Sequence, residues 1–157
     1  MGNDVEIQRA SASDASPKDV DFEKWVDLVL LNQDRQGSIV IRLVDEVESQ
    51  SLNDQYRHKN APTNVLSFPF EMPVEIESEE ISVHLGDLII CVPIVNNEAV
   101  LQGKSANAHW VHMVIHGVLH LLGYDHSDED EAIEMEALEI ELLNQLGINN
   151  PYEEKEK

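Results

Sequence analysis

Cysteine, positive charge and long apolar runs are all scarce in this 157-residue chain. Its single cysteine, Cys91, excludes an intramolecular disulfide and a cysteine-rich metal site. Lying inside the run LIICV, it is expected to serve packing. No uninterrupted apolar stretch approaches the roughly 20 residues of a membrane span, and the opening MGNDVEIQRASASDASPKDV lacks a basic start followed by an apolar run. A cytoplasmic protein with no membrane partner is therefore expected. Ten Lys plus Arg against 31 acids give a formal charge of −21, which opposes long-range attraction to nucleic acid or anionic lipid. The imbalance is uneven, however. Residues 125–157 hold twelve acids against Lys155 and Lys157, whereas Arg42, Arg57, Lys59 and Lys104 stand in less acidic surroundings. A local basic face can therefore coexist with the global charge.

Internal repeats and domain linkers are also lacking, and 42% hydrophobic residues in a chain of this length suit one domain spanning 1–157. DVEIQRA alternates as a strand, and Ser16 and Pro17 can open a helix that runs to about Asn32. After Gly37, SIVIRLVDE reads as a β-branched strand with Ile39, Ile41 and Leu43 on one face. A short acidic helix over 46–56 comes next, then the turn-rich RHKNAPTN and an extended VLSFPF that ends near Pro69. EMPVEIESEE is expected as an exposed loop, LGDLIICV as a buried strand, and PIVNNEAVLQ as the start of a helix. Helices over about 105–122 and from Ser127 to Gly147 complete the chain, followed by a loose tail over 149–157. Strands and helices mix without strict βα alternation, so the expected class is α+β: a small mixed sheet covered by helices.

The chemistry concentrates in HGVLHLLGYDH, residues 116–126. His116 and His120, four apart on a helix, can direct two imidazoles at one point. Gly123 permits a turn that brings His126 back toward it. Three nitrogens leave one tetrahedral position open, the mark of a catalytic rather than a structural zinc site. A lone helical histidine more often packs than binds metal, and His109 and His112, on the same stripe, are read as bystanders or supports. The full spacing is another matter, because His-x3-His-x2-Gly-x2-His matches the ligand frame of the metzincin proteases. Those proteases carry a Glu general base after the first ligand; here it is Gly117, so a peptidase would lack its base. Asp125 can orient His126 or touch bound water. Asp128 to Glu134 read as a solvated helix start.

Upstream, Arg57 and Lys59 sit in LNDQYRHKNAPTNVLSFPF, just before a strand. An exposed arginine commonly does no more than pair with a nearby acid. Taken with LGDLIIC and HGVLHLLGYDH, however, this segment resembles the bacterial YbeY family of endoribonucleases and rRNA maturation factors, over about Asp4 to Tyr152. The resemblance implies a zincin-like cleft in an α+β fold, one Zn2+ held by His116, His120 and His126, and Arg57 as the functional arginine. It also implies cleavage of single-stranded RNA in maturing the 3′ end of small-subunit rRNA and in ribosome quality control. Its implied partners are small-subunit ribosomal proteins and an assembly GTPase.

A zinc can lower the pKa of water to about 7 and polarise a phosphoryl oxygen, while Arg57 can grip a phosphate through two parallel hydrogen bonds. Attack by that water and attack by the ribose 2′-hydroxyl both remain open. Lys59 and Lys104 are the expected RNA-binding cations, if they share a face with Arg57 and the metal. Two rivals stand beside this reading: a metzincin-like zinc peptidase, opposed by Gly117, and a non-enzymatic ribosome-assembly factor whose zinc only pins a helix end.

Overall fold

The computed structural model describes residues 4–70, 83–125 and 127–152. In chain order the elements are β1 (Asp4–Arg9), α1 (Asp19–Asn32), β2 (Ser38–Val44), α2 (Glu46–Arg57), β3 (Val65–Pro69), β4 (His84–Cys91), α3 (Val92–Leu101), α4 (Ala106–Leu121) and α5 (Glu129–Gln145). The strands form one mixed sheet in the order β1-β2-β4-β3. β1, β2 and β4 are parallel, and β3 runs antiparallel to β4 along an edge. This is the α+β arrangement expected from the sequence.

Alternation within the strands assigns the two sheet faces. Ile39, Ile41 and Leu43 are buried in step, and the register sets Ile41 beside Leu88 and Leu43 beside Ile90. This apolar face joins α1 and α4 in one core, where Phe22 meets Trp25 and Trp110 edge to face at 5.8 and 5.9 Å. Each such side chain taken fully out of water contributes about 1.5–3 kcal/mol before entropy is counted. On the opposite face Arg42 reaches Glu48 of α2 through two hydrogen bonds of 2.6 and 3.1 Å, so α2 is clipped over that side. The bidentate pair also uses up one of the few cations in the chain.

α4 is buried on nearly every side, as its apolar composition demands. It packs against α1, α3 and α5 as well as β3 and β4. Gly117 lies close against the sheet: a Cβ there would lie 2.8 Å from Cδ2 of Leu88, which is wholly buried. The glycine that removes a protease-type base is thus also what lets α4 lie down on β4.

Three boundaries differ from the sequence reading. α1 begins at Asp19, not at Ser16 and Pro17, because Arg9 captures Ser16 Oγ, the Pro17 carbonyl and Asp19. α5 is capped by Asp128, not Ser127; its carboxylate accepts from the Glu131 N–H at 2.8 Å. The tail is not loose as far as Tyr152, whose hydroxyl is bonded to buried Glu139. The loop expected over EMPVEIESEE lies outside the described residues, as do His126 and residues 153–157. No helix among the described residues is long and apolar enough to cross a membrane.

Gly117→Glu, which restores the protease letter, is expected to cost about 3 kcal/mol or more by forcing a charged side chain into the α4/β4 contact. Urea denaturation measures this. A variant as stable as the parent would show that the close approach is not what holds the helix in place.

Candidate functional site

The site begins where α4 ends. Leu122 is the last residue of the helix turn, and Gly123 follows in the left-handed region at φ 105°. The Gly123 N–H donates to the His120 carbonyl at 3.1 Å and the Tyr124 N–H to the Leu119 carbonyl at 3.0 Å, the paired bonds of a Schellman motif. This turn folds the Tyr124 carbonyl back under the His120 ring. His120 Nδ1 then donates to it at 2.9 Å. The Tyr124 hydroxyl is tied to Gln33 at the end of α1 at 2.8 Å.

His116 is held in the same sense by another acceptor, donating from Nδ1 to Glu139 Oε2 at 2.8 Å. A carbonyl and a carboxylate can only accept, so both rings carry a proton on Nδ1 and turn Nε2 toward each other. These two Nε2 atoms stand 3.1 Å apart. Two facing lone pairs repel unless a proton or a cation lies with them. Donors about 2.0–2.1 Å from a tetrahedral zinc sit about 3.3 Å from each other, so the spacing fits a shared ion. A ligand histidine with its other nitrogen bonded to a carboxylate or a carbonyl is also the usual support around a metal. The residues present therefore fit the implied zinc. Among the described residues no third His, Cys, Asp or Glu completes a cluster, and the expected third ligand, His126, is outside them.

Behind this pair lies a buried polar network. Glu139 is fully buried, yet its two oxygens accept from His112 Nε2 at 2.7 Å, His116 Nδ1 at 2.8 Å and the Tyr152 hydroxyl. Burial pushes its pKa up, but the hydrogen bonds from His112 and His116 outweigh that and bring it down to about 2. Burial in turn pushes His112 below its ordinary value against the pull of Glu139, so the ring stays neutral and donates from Nε2. The Tyr152 hydroxyl is driven up by burial and by the bond to Glu139. His109 belongs to a separate pair with Glu98 at 2.9 Å, which also takes the Asn64 amide.

The two rings open into a cleft of about 740 Å³ lined by α2, β3 and the α4 turn, including Tyr56, Arg57, Asn64, Ser67, Phe68, His116, His120 and Asp125. Arg57 is the last residue of α2, exposed, with no carboxylate in ion-pair range among the described residues. The loop after it is pinned from beneath: Ser49 Oγ bonds both the N–H and the carbonyl of Thr63, and Asn53 donates to the Ala61 carbonyl at 2.8 Å. Asn64 accepts from the Val65 N–H and receives the Cys91 N–H on its carbonyl, starting β3 in register.

The structure thus brings His116, His120, Arg57 and Asp125 to one cleft. Lys59 is exposed just past α2 and does not line it. Lys104 lines a different cavity, of about 690 Å³, with His112 and Asn149, so the expected single basic face does not include it. The reason is positional: Lys104 precedes α4, and the metal pair sits at the far end of that helix. Sequence reasoning missed Glu139, Tyr56 and Phe68. Glu139 left a signal, being the one acid on the buried stripe Met135, Glu139, Leu142, Leu143 of α5.

Comparison with known proteins places the chain among relatives of one family. The sequence model of the family described as Endoribonuclease YbeY matches residues 6–147. A protein named Endoribonuclease YbeY from Pseudomonas putida (strain W619) is 52% identical over 153 residues, covering 98% of this chain and 95% of the relative. One of the same name from Pseudomonas entomophila (strain L48) is 51% identical with the same coverage. A solution structure of a Thermotoga maritima protein superimposes with a TM-score of 0.56 over 95% of this chain and 97% of that one, at 23% identity, a likeness of fold.

Because the Glu139 pKa is depressed on folding, its contribution to stability is complete above its ordinary value of 4.5 and is lost as pH falls toward about 2. In urea denaturation of the metal-free chain, the stability gap between the parent and Glu139→Gln is expected to narrow through that window. A gap that stays constant would mean Glu139 is not held as a buried anion.

Proposed function

The chain belongs to the YbeY family of endoribonucleases, and from that premise we propose that it is a zinc-dependent endoribonuclease acting on single-stranded RNA. Its role is maturation of the 3′ end of small-subunit rRNA and ribosome quality control, in the cytoplasm. The observation that carries this reading is the pair of Nε2 atoms facing the same cleft as an arginine with no acid partner among the described residues. His116 and His120 would hold the ion, with His126 as the third ligand. Zinc bound there would supply an ionised water near neutral pH and a Lewis acid for a phosphoryl oxygen.

The chain's own groups do the rest. Glu139 and the Tyr124 carbonyl keep both rings in the ligating tautomer. Arg57, at the cleft wall, holds the scissile phosphate with two parallel hydrogen bonds and offsets the charge that grows on it. Gly117 offers no proton acceptor and packs against Leu88, which disfavours the peptidase reading. The dense acid of α5 repels free RNA, so target choice is assigned to docking on basic small-subunit ribosomal proteins and on an assembly GTPase.

Metal analysis of the purified chain, combined with cleavage of unstructured RNA, tests the proposal. One zinc per chain is expected. His116→Ala should lose both metal and cleavage, and Arg57→Glu should keep the fold and metal while losing about 100-fold or more in rate. Cleavage and metal content should also fall together below about pH 6.5, where protons compete for the imidazoles. RNA processing untouched by Arg57→Glu would favour an assembly factor with a structural ion. Proteolysis abolished by His120→Ala would favour the peptidase.

A further inference from the structure

Tyr56 is more exposed than packing of α2 requires of a large ring. The buried residues of α2 are Ser49 and Asn53, and Tyr56 leaves 57% of its surface exposed at the cleft wall. Its hydroxyl makes no hydrogen bond among the described residues. Among the described residues its one ring contact is with Phe68 of β3, edge to face, with centroids 5.2 Å apart and planes at 69°. Such a pair uses one ring edge and one ring face and leaves the remaining faces for another flat group. Both rings line the cleft that Arg57, His116 and His120 share, and Tyr56 immediately precedes Arg57.

We infer that Tyr56 and Phe68 form a stacking platform for one unpaired nucleobase, beside the phosphate that Arg57 holds. The inference rests on the endoribonuclease reading and gives it a source of strand selectivity. A base inside a duplex already has both faces covered by its neighbours, whereas a base in a single strand can swing out and lie on a ring. Apart from the ion proposed for the histidine pair, Arg57 is the only lysine or arginine among the described residues that lines the cleft, so charge there can act on little more than the phosphate. Stacking requires no charge and tolerates any base, so it suits a strongly acidic protein whose target sequence is chosen elsewhere. The platform also fixes register: a base seated next to Arg57 sets which phosphodiester lies toward the histidine pair.

The test uses the full chain in excess over an unstructured RNA oligonucleotide with 2-aminopurine at successive positions, whose fluorescence is quenched by stacking. Cleavage is followed on the same oligonucleotides. The parent is expected to quench the probe at one position relative to the cut. Tyr56→Leu, which keeps apolar cover over Phe68 but removes the ring, should abolish that quench and raise KM about ten-fold with kcat little changed. Tyr56→Phe should rescue both readouts, because the ring stacks and the hydroxyl does not. Quenching and KM unaltered in Tyr56→Leu would overturn the platform while leaving the nuclease standing. Position-specific quenching by a parent chain that cuts no RNA would uphold the platform and refute the nuclease. Neither quenching nor cleavage would overturn both.

Discussion

Each histidine of the central pair must hold its proton on Nδ1, donated to an acceptor, before its Nε2 can serve as a ligand. Two acceptors do this from different parts of the chain: the Glu139 carboxylate from α5 and the Tyr124 carbonyl from the turn that ends α4. Helical spacing places the rings four residues apart, but spacing alone leaves either nitrogen protonated and either rotamer open. The acceptors remove that freedom. What results is a pair of Nε2 atoms 3.1 Å apart, suited to a bound cation. A cation bound there would need both nitrogens unprotonated and gathered by the fold, so its binding would be coupled to folding.

The rest of the molecule can be understood as support for this arrangement. A fully buried carboxylate is costly unless every oxygen is satisfied, and Glu139 meets that condition only with three donors. One donor, Tyr152, comes from beyond the last helix, so the end of the described chain is tied to the histidine pair through a single carboxylate. His112 is another, and burial keeps it neutral so that its proton points at Glu139. α4 carries His112, His116 and His120, and Gly117 between them lies against Leu88 of β4.

Much of this was legible in the sequence. The strand faces, the course of α4 and the turn at Gly123 follow from apolar periodicity and from the one residue type that tolerates a left-handed backbone without strain. His116 and His120 stood out by their spacing, whereas Arg57 was implied only by the resemblance of its segment to the YbeY family. Less visible were interactions between residues remote in sequence. Arg9 displaces the start of α1 by holding Ser16, a contact across the first connection that local cap preference does not contain. Lys104 looked like a partner of Arg57 until the fold set it at the opposite end of α4. Tyr152 read as tail because polarity without periodicity says nothing of one hydroxyl reaching a buried acid. Glu139 itself was readable only by asking why an acid should sit on a buried stripe.

The central claim concerns proton positions, and long-range proton–nitrogen NMR of the metal-free chain near neutral pH reads them directly. Both His116 and His120 should show the Nδ1-protonated tautomer, and added zinc should shift their Nε2 resonances while leaving Nδ1 protonated. An Nε2-protonated tautomer at either ring, unchanged by zinc, would contradict the account at its base.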